Sequence, residues 1–285
     1  MKFTKLQGAG NDFVLVEAGN MQRDWSQLAR AMCDRHFGIG ADGLLVLLPS
    51  AVADFQMREF NSDGSESEAC GNGLRCLVKY VMDKKLANTA TGGVSIDTVA
   101  GVRKFAAGDL QGEKTRIQVS MGMPGFEAED IPAVVEPDRK QVVAIKLIKY
   151  PVSVGGRKLF LNLVSMGNPH AVYFWDRPVA DFPLSQLGPK IEQHKMFPER
   201  TNFEVARVVN RKQIEARVWE RGVGETLACG SGACAITAAA RLNGYVGSKV
   251  DIKYPGGILT VEWDGNEEIL LGGPTETVFM GEWLE

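Results

Sequence analysis

Two short strings in this 285-residue chain carry a thiol into what reads as the first turn of an apolar helix: Ala69-Cys70-Gly71-Asn72-Gly73 and Ala228-Cys229-Gly230-Ser231-Gly232. A helix N-terminus presents unpaired N–H groups and about half a positive charge, which stabilises an anion placed there. At Cys70 and Cys229 that field is expected to favour thiolate and to bring the pKa from a free value of about 8.5 towards neutrality. The glycines at 71, 73, 230 and 232 let a carboxylate approach the backbone donors closely. Such a pair suits acid-base work at the α-carbon of an amino acid. One thiolate removes the α-proton, the helix N–H groups take up charge spreading into the carboxylate, and the thiol on the other face returns a proton with inversion.

This chemistry needs no pyridoxal phosphate, and no convincing motif for a phosphate-bearing cofactor is present, so no cofactor is expected. Five cysteines without a C-x-x-C pair and three histidines (His36, His170, His194) speak against structural zinc or a disulfide framework; no metal is expected either. The bland alternative is that Cys70 and Cys229 are small residues buried at tight helix starts, the usual fate of a free cysteine. Their duplication, each with a glutamate four residues upstream (Glu66 and Glu225), argues against it. Cys33 continues an apolar helical stripe, and Cys76 and Cys234 lie beyond the terminus field, so these three are expected to be packing.

The elements that position the thiols follow from an internal repeat. The two cysteines are 159 residues apart (229 − 70), and further matches keep the same order. Gly10-Asn11 pairs with Gly167-Asn168, Ser26-Gln27-Leu28 with Ser185-Gln186-Leu187, and Gly101 with Gly257, all within three residues of that offset. A tandem duplication results, with its boundary near Met121 to Asp130. Strands are expected at Phe13 to Val16, Leu44 to Leu48, Val94 to Asp97 and Arg116 to Val119. In the second half they are expected at Val172 to Trp175, Ile214 to Trp219 and Leu259 to Trp263. Helical stripes run through Trp25, Leu28, Ala29, Met32 and Cys33 and through Leu74, Leu77, Val78, Val81 and Met82. The second cysteine's helix runs through Ala233, Ile236, Ala239 and Ala240 and stops at Asn243-Gly244. Strands outnumber helices, which favours an α+β fold in which a curved sheet wraps a central helix.

Composition bounds the partners. The chain is 45 % apolar and 24 % charged with a net charge of −3, which gives no basic footprint for nucleic acid. No run approaches the ~18 apolar residues of a membrane span, and Met1 to Gly8 moves into strand-like sequence without a signal-peptide core. A cytoplasmic protein acting on a small molecule is the expectation, without membrane or nucleic-acid partners.

The chain resembles the diaminopimelate epimerase family. The resemblance is carried by Gly8-Ala9-Gly10-Asn11-Asp12-Phe13, Phe60-Asn61-Ser62-Asp63-Gly64-Ser65, Cys70 to Cys76, Gly167-Asn168-Pro169-His170-Ala171-Val172, Glu199-Arg200-Thr201-Asn202, Glu220-Arg221-Gly222 and Ala228 to Cys234. It spans nearly the whole chain. It implies two pseudo-symmetric α+β domains, each a curved, mostly antiparallel sheet around a central helix, with the site in the cleft between them. The domains would be 1–122 with 273–285, carrying Cys70, and 123–272, carrying Cys229. It implies a homodimer, cofactor-independent epimerisation of LL- and meso-2,6-diaminopimelate, and Cys70 and Cys229 as the acid/base pair. Substrate contacts would come from Asn11, Asn61, Asn168, Asn202, Glu220 and Arg221, and from backbone at Gly71-Asn72 and Gly230-Ser231. His170 and Glu220 would influence the cysteine protonation states.

Several alternatives stand beside this reading. Asn11, Asn168 and Asn202 lie in loop-like sequence where asparagine also makes turns. Glu220-Arg221 reads equally as a solvated strand end and His170 as a satisfied core histidine, although Glu220 continues the inward face of Ile214, Ala216 and Val218. Where some family members have glutamine, this chain has Gly43, opposite Asn202 in the repeat register, which bears on fine specificity. Proline racemase-like enzymes share the thiol pair, and a reversible Cys70–Cys229 disulfide would be a redox or binding function.

Overall fold

Runs of Val, Leu, Ile and Phe that alternate or fill four to six positions form strands, and stripes at 3.6-residue spacing form the helices between them. The computed structural model describes residues 1–67, 71–87, 93–99, 101–106, 116–134 and 147–284. Cys70 lies outside the described residues. In chain order the elements are β1 (Lys2–Gly8), β2 (Asn11–Glu17), α1 (Trp25–Cys33), β3 (Gly43–Leu48), β4 (Phe55–Asn61), β5 (Glu66–Ser67), α2 (Gly71–Asp83), β6 (Gly93–Thr98), β7 (Gly101–Ala106) and β8 (Arg116–Ser120). Then follow β9 (Tyr150–Val154), β10 (Arg157–Ser165), β11 (Pro169–Phe174), α3 (Leu184–Glu192), β12 (Asn202–Asn210), β13 (Gln213–Glu220), β14 (Gly224–Thr226), α4 (Gly230–Leu242), β15 (Lys249–Tyr254), β16 (Gly257–Glu262), β17 (Leu270–Pro274) and β18 (Glu276–Glu282). The strands expected to include Trp175 and Trp263 each end one residue earlier, where the backbone N–H of Trp175 turns to Ala206 O and that of Trp263 to Ser248 O.

The chain divides into two compact units, Met1–Ser120 with Gly272–Glu285 and Met121–Leu271. In the first, the sheet runs β18-β1-β2-β3-β4-β6-β7, with β5 on β4. Helix α2 lies against β1, β2, β3, β4, β8 and β18. A core of Val14, Val16, Trp25, Ala29, Met32, Cys33, Leu44, Val46 and Phe60 buries the inner face of α1. In the second unit the strands follow β17-β16-β15-β13-β12-β11-β10-β9, with β14 on β13, and α4 packs on β10, β11, β12 and β16.

The units repeat one topology, and the pairing registers show it residue by residue. Both begin with an antiparallel pair (β1–β2, β10–β11), a parallel step across a helix (β2–β3, β11–β12), then two antiparallel pairs, the cysteine helix, a parallel step and a last hairpin. Leu45 faces Glu59 on β4 as Glu204 faces Val218 on β13, and Glu59 faces Ser67 as Val218 faces Thr226. After the helix, Ile96 opposite Arg103 matches Ile252 opposite Leu259.

The cysteine helices also stop alike. In α4, Gly244 takes the left-handed conformation (φ 73°), Gly244 N–H donates to Arg241 O and Tyr245 N–H reaches back to Ala240 O. In α2 the same bonds run from Lys85 to Met82 O and from Leu86 to Val81 O, but the left-handed residue is Lys85 (φ 55°). A side chain there carries a steric cost that glycine avoids. Lys85→Gly is therefore expected to stabilise the protein by up to about 1 kcal/mol in urea unfolding, the unfolded-chain entropy of glycine offsetting part of the gain. Unchanged or lower stability would remove the strain argument.

Candidate functional site

In the second unit the chain is extended at Cys229 (φ −130°, ψ 124°) and turns into α4 at Gly230, so the thiol occupies the helix cap itself. Its Sγ accepts from Gly232 N–H at 3.4 Å and lies 3.5 Å from Ser231 Oγ, and the residue is only 6 % exposed. Glu220, at the end of β13, accepts from Thr226 Oγ1 on the neighbouring β14 and is hydrogen-bonded with Cys229. Burial raises the Glu220 carboxyl above the ordinary carboxylate range, against those hydrogen bonds and the charge of His170.

The expectation that the helix end lowers the Cys229 pKa is overturned. Burial, then the carboxylates of Glu220 and Glu204, push this thiol well above its ordinary value, outweighing the hydrogen bonds from Ser231 and Gly232. A half-charge at a helix end loses to desolvation when two acids share the site. Cys229 is therefore a thiol at neutral pH. Cys33 and Cys76 are buried and pushed up to about 12, chiefly by burial, and Cys234 is fully buried.

The candidate binding residues around Cys229 fall into one connected set. His170 Nε2 lies 2.9 Å from Asn168 Oδ1, and His170 Nδ1 lies 2.6 Å from Glu204 Oε1. Asn202 sits beside His170 in the parallel register, with its amide donating to Pro169 O (3.0 Å) and its carbonyl oxygen accepting from Arg221 N–H (2.9 Å). Both ends of Asn202 thus clamp backbone, at the first residue of β11 and just past the end of β13. Arg221 reaches Glu199 O at 3.3 Å, and the turn after it is pinned by Glu192, the last residue of α3, which accepts from Gly222 N–H (2.9 Å) and Trp219 Nε1 (2.8 Å). Glu192 and Glu204 went unnoticed in the sequence. The available signal was an acid inside the apolar run Phe203-Glu204-Val205-Ala206, which sheet burial does not tolerate without a partner.

In the first unit, Asn11 opens β2 after the left-handed turn at Ala9 and Gly10 (φ 54° and 85°). Its amide donates to Asp42 Oδ2 (2.6 Å) and its oxygen accepts from Asn72 Nδ2 (3.2 Å). Asn72 is 1 % exposed and also accepts from the fully buried Arg75 (2.6 Å), whose guanidinium donates to Gly71 O as well (3.1 Å). Asn61 donates to Ser65 Oγ at 2.9 Å. At Gly43 a Cβ would come 2.9 Å from Phe60 O, so a glutamine could not enter without moving the strand. Asp12 holds the turn: Lys5 Nζ (2.6 Å) and Arg35 (2.8 Å) converge on it, and Arg35 bridges to Asp42 (2.7 Å).

Among the described residues no group of three or more His, Cys, Asp or Glu could hold a metal ion, and no helix is long and apolar enough to cross a membrane. A family model described as diaminopimelate epimerase matches residues 3–127 and 162–281. The chain belongs to the diaminopimelate epimerase family. A diaminopimelate epimerase of Methanococcus maripaludis is 44 % identical over 99 % of both chains, and one of Halothermothrix orenii is 42 % identical over 99 % of this chain and 97 % of its own. The fold resembles that of a Bacillus anthracis PhzF-family phenazine biosynthesis protein (TM-score 0.73, 17 % identity, 100 % and 99 % of the two chains). It also resembles an Agrobacterium vitis hydroxyproline epimerase solved with bound trans-4-hydroxy-L-proline (TM-score 0.66, 14 % identity, 99 % and 91 % covered).

Two outcomes test these electrostatics. Burial works to raise the Asp12 carboxyl, but the hydrogen bonds and charges of Arg35 and Lys5 win and lower it to about 2 from 3.8. A depressed acid stabilises the fold above its unfolded pKa and loses that contribution as pH falls through the folded value. Asp12→Asn is expected to cost about 2 kcal/mol at pH 7 and little at pH 2 in urea unfolding; an equal cost at both would refute the ion-pair assignment. Removing a negative charge beside a thiol lowers its pKa. In Glu220→Gln, alkylation of the Cys229 peptide by iodoacetamide at pH 8, followed by mass spectrometry, is expected to run faster than in the wild type; a slower reaction contradicts the coupling.

Proposed function

We propose that this chain interconverts LL- and meso-2,6-diaminopimelate without a cofactor, through Cys70 and Cys229 acting on opposite faces of the α-carbon. The observation that carries the reading is the buried Cys229 at the cap of α4, its sulfur accepting from Gly232 N–H and lying beside Ser231 Oγ. In one direction Cys70 thiolate takes the α-proton and Cys229 gives its own to the other face. The thiol and thiolate exchange places, ready for the reverse direction. Negative charge delocalised into the substrate carboxylate is received by N–H groups at Gly71-Asn72 and Gly230-Ser231. The remaining groups suit a second amino-acid head that is bound and left unreacted: Asn11, Asn61, Asn168 and Asn202 as amides, with the Glu220 carboxylate for the ammonium and the Arg221 guanidinium for the carboxylate. His170 and Glu220 govern which thiol holds the proton. The setting is a cytoplasmic homodimer that supplies lysine and peptidoglycan precursors.

A second reading, racemisation of a cyclic imino acid, is favoured by one observation, the fold shared with the hydroxyproline epimerase. The experiment that separates them is solvent-deuterium exchange with purified, reduced protein. Deuterium is expected at the α-carbon of LL- and meso-diaminopimelate and not of proline, trans-4-hydroxyproline or lysine. Exchange into the cyclic substrates alone would replace the first reading with the second, and no exchange into any amino acid would leave a thiol-redox or binding role. Cys70→Ser and Cys229→Ser are each expected to reduce epimerisation at least 100-fold, whereas Cys33→Ser changes stability only.

A further inference from the structure

The repeat allows each buried charge near Cys229 to be compared with the residue at the same place in the other unit. In the parallel step before the cysteine helix, Phe13 opposite Gly43 matches His170 opposite Asn202, and Leu15 opposite Leu45 matches Val172 opposite Glu204. The buried pair His170–Glu204 thus stands where the first unit has Phe13 and Leu45, both of them core residues. One backbone tolerates an apolar pair at these positions. His170 and Glu204 are both 0 % exposed, and Glu204 Oε2 has no hydrogen-bond partner among the described residues. Replacing a buried ion pair by apolar side chains of similar volume is often neutral or stabilising, so folding alone does not explain why the second unit keeps this one.

The geometry also shows what each ring nitrogen meets. His170 Nδ1 faces a carboxylate oxygen of Glu204 and His170 Nε2 faces the Asn168 carbonyl oxygen. A ring between two acceptors is satisfied at both nitrogens when both carry a proton. The groups that share this pocket come from every packed element: Glu204 on β12, Glu220 on β13, Cys229 and Cys234 on α4, and Tyr254 on β15, whose buried hydroxyl is also without a partner among the described residues. Tyr254 occupies the place of Thr98, whose hydroxyl is satisfied by Gly101 O at 2.8 Å. At Gly232 a Cβ would stand 2.8 Å from Glu204 Oε1 and 3.2 Å from Tyr254 Oη, so the first turn of α4 rests directly on these two side chains.

We propose that Glu204 is a positioning residue for the reaction: its carboxylate holds His170 as a doubly protonated ring beside Glu220 and Cys229, a buried charge pair that the first repeat does without. This rests on the two-thiol reading above. The His170 charge acts on Glu220, and the Glu204 charge acts on both Glu220 and Cys229, so removing either redistributes the proton at the thiol. Glu204 keeps Cys229 in the thiol form needed by a proton donor. Its loss draws the alkaline limb of activity to lower pH.

The experiment has one arm on the wild type and two on variants. In the 15N spectrum of histidine-labelled wild-type protein, the exchange-protected ring of His170 is expected to show two protonated nitrogens from pH 6 to 8. A single neutral tautomer across that range overturns the proposal, whatever the variants do. In Glu204→Gln, the alkaline limb of kcat/KM is expected to move down by about one pH unit, with kcat reduced at least 10-fold and KM within about threefold of wild type. An unshifted profile with unchanged kcat overturns it. The double variant His170→Phe/Glu204→Leu, which installs the first unit's pair, is expected to melt no lower than wild type while losing at least 100-fold in kcat; wild-type activity in it overturns the proposal. Absence of α-proton exchange in the wild type would instead refute the functional reading, leaving the ring measurement to decide the pair.

Discussion

The first turn of α4 has no room between its backbone and the Glu204 carboxylate. A Cβ on Gly232 would sit 2.8 Å from Glu204 Oε1, a separation that packed carbon and oxygen atoms do not tolerate. The same constraint governs the first turn of α2, where a Cβ on Gly73 would come 2.7 Å from Glu59 Oε2 and 3.1 Å from Leu45 Cδ2. Both acids are buried. They come from different strands, however: Glu59 is the counterpart of Val218, and Glu204 of Leu45. What the two units share is thus an arrangement, a carboxyl group against the third residue after a cysteine, reached from two sequence positions. Glycine at that residue is what allows it.

This arrangement explains why the helix end does not make Cys229 a thiolate. The N-terminal N–H groups and the partial positive charge are real, and Gly232 N–H does donate to the sulfur. Yet the same few ångströms hold Glu204 and Glu220, each competing as an anion for the same field, in a setting where desolvation disfavours every charge. A thiol with two acidic neighbours keeps its proton. The first unit places a different charge behind its helix: Arg75, fully buried and bonded to Gly71 O and Asn72 Oδ1, stands where the second unit has Cys234. An arginine cannot give up its charge, so the first unit carries a permanent buried cation at the position where the second has a thiol.

Much of the fold was legible because its signals are periodic and local. The stripe Trp25, Ala29, Met32, Cys33 is buried, the stop at Asn243-Gly244 is a left-handed cap, and the duplication read from a few matched strings reappears in strand registers. Strand ends at Trp175 and Trp263 were misplaced by one residue because apolar character continues past the point where the backbone leaves the ladder. The site was legible only in its types. Asn11, Asn168, His170 and Asn202 could be named, but not their bonding, because each is set by a partner 30 or more positions away or by a neighbouring turn. Glu204 escaped because an acid in an apolar strand looks like an error in alternation until His170 is in place, and Glu192 because an acid closing a helix looks solvated until Trp219 and Gly222 N–H meet it. The Cys229 pKa was missed because its direction is set first by burial and then by two acids brought in from β12 and β13, whereas the helix end alone points the other way.

On the proposed two-thiol reading, a reaction that approaches one carbon from two faces favours a duplicated backbone, because each face needs the same helix end and the same close-packed glycine turn. The chemistry on the two faces is not the same at any instant, since one group must lack the proton that the other holds. Identical surroundings would leave that choice to chance. Here the backbone repeats while the buried charges diverge: Phe13 and Leu45 against His170 and Glu204, Glu59 against Val218, Arg75 against Cys234. Each substitution occupies a position where the other unit has a buried residue of another kind, so the fold accepts either. Divergence of the buried charges behind the two helix ends lets a duplicated scaffold keep its symmetry of shape and lose its symmetry of charge.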